Sequence, residues 1–182
     1  MQKMSSVKKS ILTAACIALC VVLPMAFHSI PNAGSIFCPM HIPVLLCGLI
    51  CGWPYGLLCG LAGPVLSSLL TQMPVAAMLP SMMIELAVYG IITGIMMRLV
   101  HTKKLYADLY INLIFAMLAG RVAAGTAKAL IFAAGEYSVA AWISGHFIMA
   151  WPALLIHLTL IPLLVSSLEK AKLIPKRYPK NH

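Results

Sequence analysis

His41, Glu85, Arg121, Lys128 and His146 are ionisable side chains placed inside or at the edges of long apolar runs. Such groups at membrane depth are costly and face a protein interior or a water-filled cavity. Their types suit recognition of a charged molecule. Arg121 offers a planar fork of donors that matches a carboxylate or phosphate, and Gly125 and Lys128 follow at four and seven residues on the same helix face. Two cations against Glu85 favour a ligand that carries negative charge. His146 and His157 are eleven residues apart, about three helical turns, and are expected on one stripe. His157, the deeper of the two, reads as a packing histidine. A competing reading makes Glu85 and Arg121 a structural ion pair, with Lys128 snorkelling to the interface. That pair alone leaves His146 and the proline-flanked stretch PMHIP at 39–43 without a role.

Bond-making chemistry is disfavoured. The chain has no HExxH, GxSxG or CxxC pattern and no paired-carboxylate motif, and of its four acidic residues only Glu85 lies well inside an apolar run. A GxxxxGK[ST] loop is also missing, so the chain is not expected to hydrolyse ATP itself, and no cofactor or resident metal is expected. Hydrophobic residues make up 62% of the 182 and charged residues 9%, against roughly 25% charged in a soluble domain. That balance makes the chain an integral membrane protein. The net charge of +9 does not point to nucleic acid, because the basic residues gather at the ends of apolar segments. The six cysteines lie mostly within apolar helices and are expected to pack there as small hydrophobes.

These side chains need elements to hold them. Six apolar segments, 11–27, 36–52, 55–70, 81–100, 105–134 and 139–168, lie near the length a bilayer demands, within a single membrane domain over 1–182. The last two exceed a straight span, and Pro152 and Pro162 give the sixth a means to bend. The first is read as a retained helix rather than a cleaved signal, because no good small-x-small site follows it. Lys3, Lys8, Lys9, Arg98, Lys103, Lys104 and the cations of the basic tail 169–182 all fall on one side of a six-span arrangement. The connections 28–35, 71–80 and 135–138 carry no Lys or Arg. By the positive-inside rule both termini are cytoplasmic. His41, Glu85, Arg121 and His146 then fall at similar depth in the outer half of the membrane, where they would form a polar pocket opening outward.

The run CPMHIPVLLCGLICGWPYGLLCGLAGP over 38–64 combines Pro39, Pro43, Pro54 and Pro64 with glycines at 48, 52, 56 and 60. Pro39 and Pro43 disturb the outer end of the second span. Irregular backbone at that depth survives only where protein buries it or where it lines a cavity. The glycine pairs 48/52 and 56/60 are expected to let two helices of a tight hairpin approach closely.

The succession HIP, GxxxGWxYG and GLxxPxLSSLL over 41–70, then MLPSMMIELAVYG at 78–90 and AGRVAAG at 119–125, resembles the substrate-binding S components of energy-coupling factor (ECF) vitamin importers. The resemblance covers most of the chain. It implies an all-α membrane protein of six helices that captures a vitamin-like molecule from outside. Such a subunit works with a membrane coupling subunit and two ATPase subunits in a prokaryotic plasma membrane. In that family a small AxxxA face on the first helix docks on the coupling subunit, and Ala14 and Ala18 match it. Pantothenate would suit the excess of cations. Nickel and cobalt S components begin Met-His-Ile-Pro, and here MHIP is internal at 40–43, with His28 and Cys38 nearby. Metal uptake is therefore one alternative reading. A stand-alone secondary carrier is another, for which the two halves show no convincing repeat.

Overall fold

The computed structural model describes residues 4–27, 33–132 and 138–178. These residues form helices α1 (Ser6–Ala26), α2 (Ala33–Phe37), α3 (His41–Cys51), α4 (Trp53–Thr71), α5 (Leu79–Leu99), α6 (Leu105–Ala127), α7 (Val139–Ile143) and α8 (Trp151–Lys170). Among the described residues there is no strand. Five stretches are long and apolar enough to cross a bilayer: α1, α4, α5, α6 with its extension to Leu130, and α8. Leucines 58, 69, 70, 118, 130 and 163 stand exposed on their flanks, as lipid-facing side chains do.

Two of the six expected spans differ from a simple helix. The second is split into α2 and α3. The eleven residues of α3 rise about 16 Å, roughly half of a hydrocarbon core. The break falls at Cys38, whose φ of 45° is left-handed, just before Pro39. Pro43 is accommodated inside α3 because it sits in the first turn, where the backbone N–H has no helical acceptor. The sixth span is also discontinuous: α7 runs into a π-helical turn at Ser144–Ile148, and α8 restarts after Ala150 with a proline in its first turn. His146 and His157 therefore do not share a continuous helical stripe. The fifth span likewise ends in a π-helical turn at Lys128–Phe132, the kind of local widening that π-bulges introduce in helices.

The glycines pack differently from the expected pairing within the hairpin. Gly52 is the turn itself, at φ 96°, a conformation that favours glycine. Gly56 is pressed against Gly90 of α5: a methyl group on Gly90 would lie 2.2 Å from the Gly56 carbonyl carbon. The Gly60 backbone meets Leu86 in the same way, at 2.4 Å from its carbonyl oxygen to an added methyl. The small residues of α4 thus close on α5, the helix that carries Glu85, as small-xxx-small faces do.

The cysteines meet the packing expectation. Cys20, Cys47, Cys51 and Cys59 are buried along the seam of α1, α3 and α4, and none of the six forms a disulfide. Their thiols reach backbone oxygens, as Cys47 does at Tyr55 (3.4 Å) and Cys51 at Lys9 (3.7 Å). Ala14 and Ala18 lie on the opposite, exposed side of α1, while Thr13, Cys20 and Pro24 form its buried side.

The basic tail is folded for most of its length. Residues 171–178 turn back under α8 so that Arg177 reaches the α5–α6 connection. There its Nε donates to Asp108 at 2.5 Å and its Nη1 to the Met97 carbonyl at 2.8 Å, while Nη2 donates to the Val100 carbonyl. Asp108, fully buried, also accepts from the Thr102 backbone N–H (2.7 Å), the Thr102 hydroxyl (2.6 Å) and the Tyr178 hydroxyl (2.5 Å). This clasp satisfies carbonyls at the end of α5 that have no intrahelical donor.

Candidate functional site

A cavity of about 550 Å³ lies between the N-terminal end of α3, α5, α6 and the α7–α8 segment. His41, Glu85, Arg121, Lys128 and His146 all line it. Its remaining wall is largely apolar and soft, with Met40, Met73, Met78 and Met82 beside Pro24, Phe27 and Val75. That volume and that mixture, an apolar wall with a few converging polar groups, are those of a small-molecule site.

The polar groups form one chain of contacts. Glu85, one turn into α5, accepts from the Tyr89 hydroxyl at 2.8 Å. His41 Nε2 stands 3.5 Å from one carboxylate oxygen of Glu85, and His146 Nδ1 3.9 Å from the other. The Tyr89 hydroxyl in turn accepts from Arg121 Nε at 3.2 Å. Glu85 and Arg121 thus communicate through a phenol instead of forming the direct ion pair of the competing reading. Gly120 makes this geometry available: an added methyl there would lie 2.1 Å from the Tyr89 ring. His41 presents its ring edge to Tyr89 with centroids 5.4 Å apart, and stacks on His157 at 5.9 Å.

Arg121 is only 1% exposed, and its Nη1 has no hydrogen-bond partner. The Phe147 ring lies 5.6 Å from its guanidinium carbon, within cation–π range. The backbone carbonyl of Arg121 accepts from the Trp142 indole N–H at 3.1 Å. His41 Nδ1 is likewise buried and unpartnered. His157 does not line the cavity; it supports the floor, where its Nε2 lies 3.3 Å from the Cys38 carbonyl. Around Cys38, φ and the position of Pro39 turn the backbone so that its carbonyl meets this ring.

For metal, His41 is engaged with Glu85 rather than with Cys38. His28 lies outside the described residues. Among the described residues no three His, Cys, Asp or Glu side chains come together as a metal-binding group.

Several members of the site had no signal in the sequence. Tyr89 is an ordinary aromatic of an apolar helix until the fold brings Arg121 to its hydroxyl. Its spacing of four from Glu85 was the available hint, since such residues share a helix face. Trp142, Phe147 and Gly120 join the site only through tertiary contact.

Fold and cavity together define a helical membrane protein with a chamber sized for a small molecule. The family model for the ECF transporter substrate-specific component matches residues 8–168, and the chain belongs to that family. No curated protein and no solved structure matches it. Membership makes it a substrate-binding membrane subunit that works with partners of an ECF importer, not an enzyme.

Proposed function

We propose that the chain captures a small vitamin-like anion, carrying a carboxylate or phosphate, in the cavity between α3, α5, α6 and α7–α8. Arg121 and Lys128 form the anion-binding wall. Glu85, held by His41, His146 and Tyr89, accepts hydrogen bonds from the donor groups of the same molecule. The observation that carries this reading is the buried Arg121 guanidinium, whose Nη1 is left without a partner beside open space. An unmet donor on a buried cation costs free energy in the empty protein, and an incoming carboxylate or phosphate relieves that cost. Pantothenate has the required chemistry and is the first compound to test.

The same reading places both termini in the cytoplasm of a prokaryotic cell, with α2–α3 and α7–α8 as the second and sixth spans of one membrane domain. The cavity then opens outward. Ala14 and Ala18, exposed on α1, form a docking face for the membrane coupling subunit, whose two ATPase partners supply the energy. The purified chain in detergent should retain its ligand, identifiable by mass spectrometry of the extracted small molecules, but should not accumulate it in liposomes. Replacing Ala14 and Ala18 by Trp should leave affinity unchanged and abolish uptake in cells that hold the full transporter. Gradient-driven accumulation by the chain alone would instead favour a secondary carrier. Stoichiometric nickel or cobalt lost on His41→Ala would favour metal uptake.

A further inference from the structure

Residues 139–148 are an unusual wall for a binding chamber. All are exposed except Trp142, His146 and Phe147, which are half-buried. Each of these three touches the polar chain of the cavity. Trp142 donates its indole N–H to the Arg121 carbonyl, and its ring fills the notch left by Gly125, where an added methyl would lie 2.3 Å from the indole nitrogen. Phe147 lies against the Arg121 guanidinium, His146 faces Glu85, and Trp142 and Phe147 meet edge to face at 5.4 Å. Beyond this patch the segment presents Val139, Ile143 and Ile148 outward. It joins α8 through Met149 and Ala150, outside both helices, and Ala150 packs on Cys38 at the cavity edge.

We infer that residues 139–148 are a hinged wall of the chamber, pinned shut by Trp142 in the Gly125 notch, and that Trp142 is thereby a positioning residue for Arg121. The inference rests on the cavity being the ligand site. A few side-chain contacts hold ten exposed residues in place, so the energy separating the closed wall from an open one is small, as in other locally opening elements. The pin engages the backbone of Arg121 while Phe147 engages its side chain. An anion bound to Arg121 therefore meets a guanidinium whose position already reports whether the wall is closed. No other residue in the segment is buried enough to take over the pin.

Peptide-resolved labelling of the full-length protein by a charged methanethiosulfonate tests this without any need to know the ligand. Cys38 is the reporter, because it lines the cavity beside the hinge, and Cys47, fully buried between α1, α3 and α4, is the internal control. Trp142→Ala removes the pin and Gly125→Ala fills its seat. Each should raise the Cys38 rate about fivefold, the factor that one net hydrogen bond is worth, with the Cys47 rate and the thermal midpoint unchanged. An unchanged Cys38 rate in both variants overturns the hinge. A joint rise at Cys38 and Cys47 overturns it too, because Trp142 would then support the whole bundle. A hinge that passes this test in a protein that retains no anionic ligand would count against the ligand assignment alone.

Discussion

The pair α5–α6 carries a cluster of buried charge at each end, and the two are finished differently. At the clasp, Asp108 accepts from Thr102, Arg177 and Tyr178, and Arg177 divides its donors between that carboxylate and two helix-end carbonyls. About 20 Å away along α6, by the helical rise, Arg121 has one neutral acceptor at Nε and an unpartnered Nη1, and His41 Nδ1 is unpartnered as well. Buried polar groups in native proteins are satisfied as a rule. A saturated cluster serves the fold. A cluster left short of partners beside a cavity is poised for something that is not yet there.

The largest effect should come from treating both arginines alike. Arg177→Met strands a fully buried carboxylate and frees two carbonyls, and removing one partner of a buried pair costs about 3–5 kcal/mol. We expect a pronounced drop in thermal midpoint in detergent, or loss of folded protein on size-exclusion chromatography. A midpoint within a degree or two of the parent would mean that the clasp is ornamental.

Much of this arrangement was legible beforehand, for physical reasons that can be named. Charge in an apolar run must go inward, so Glu85, Arg121, His41, His146 and Lys128 could be gathered around a common space from their depths alone, and all five line one cavity. What stayed hidden depended on contacts between distant segments. Gly90 looks like any glycine of a membrane helix until Gly56 is laid on it. The role of Asp108 was invisible because its partner, Arg177, lies 69 residues away in a tail that reads as a string of topology-setting cations. Position in the sixth span misled as well: a constant helical period would align His146 with His157, but the π-helical turn and the break before α8 reset the phase.

The same substitution at the other arginine should behave in the opposite way. Arg121→Met removes a buried, incompletely satisfied cation and puts a flexible apolar chain of similar length in its place. Replacing buried charge by well-packed apolar groups is often neutral or stabilising. Glu85 keeps His41, His146 and Tyr89 nearby, and the Trp142 bond survives because it uses the backbone. The thermal midpoint should hold or rise. Affinity for the anion should fall by about 10- to 100-fold, because a hydrogen bond to a charged group is worth about 1.5–3 kcal/mol. A stability loss matching that of Arg177→Met, with affinity intact in the folded fraction, would make both clusters structural.

The smallest effect tests how far saturation protects the clasp. Tyr178→Phe deletes one of the four hydrogen bonds to Asp108 and leaves the ring beside the Arg177 guanidinium, 5.5 Å from its carbon to the centroid. Asp108 keeps Arg177 and both Thr102 donors, so its charge stays paired. The cost should be that of a single net hydrogen bond, about 1 kcal/mol, several times less than for Arg177→Met. Ligand affinity should not change, because the clasp and the cavity share no side chain. A double variant with Arg177→Met separates two cases. If Tyr178 acts only through Asp108, its loss should matter more once Arg177 is gone, since the carboxylate then depends on fewer donors. Strict additivity would show that the phenol and the guanidinium contribute independently, as residues without a common partner do. It would reduce the clasp from a coupled cluster to a set of separate contacts.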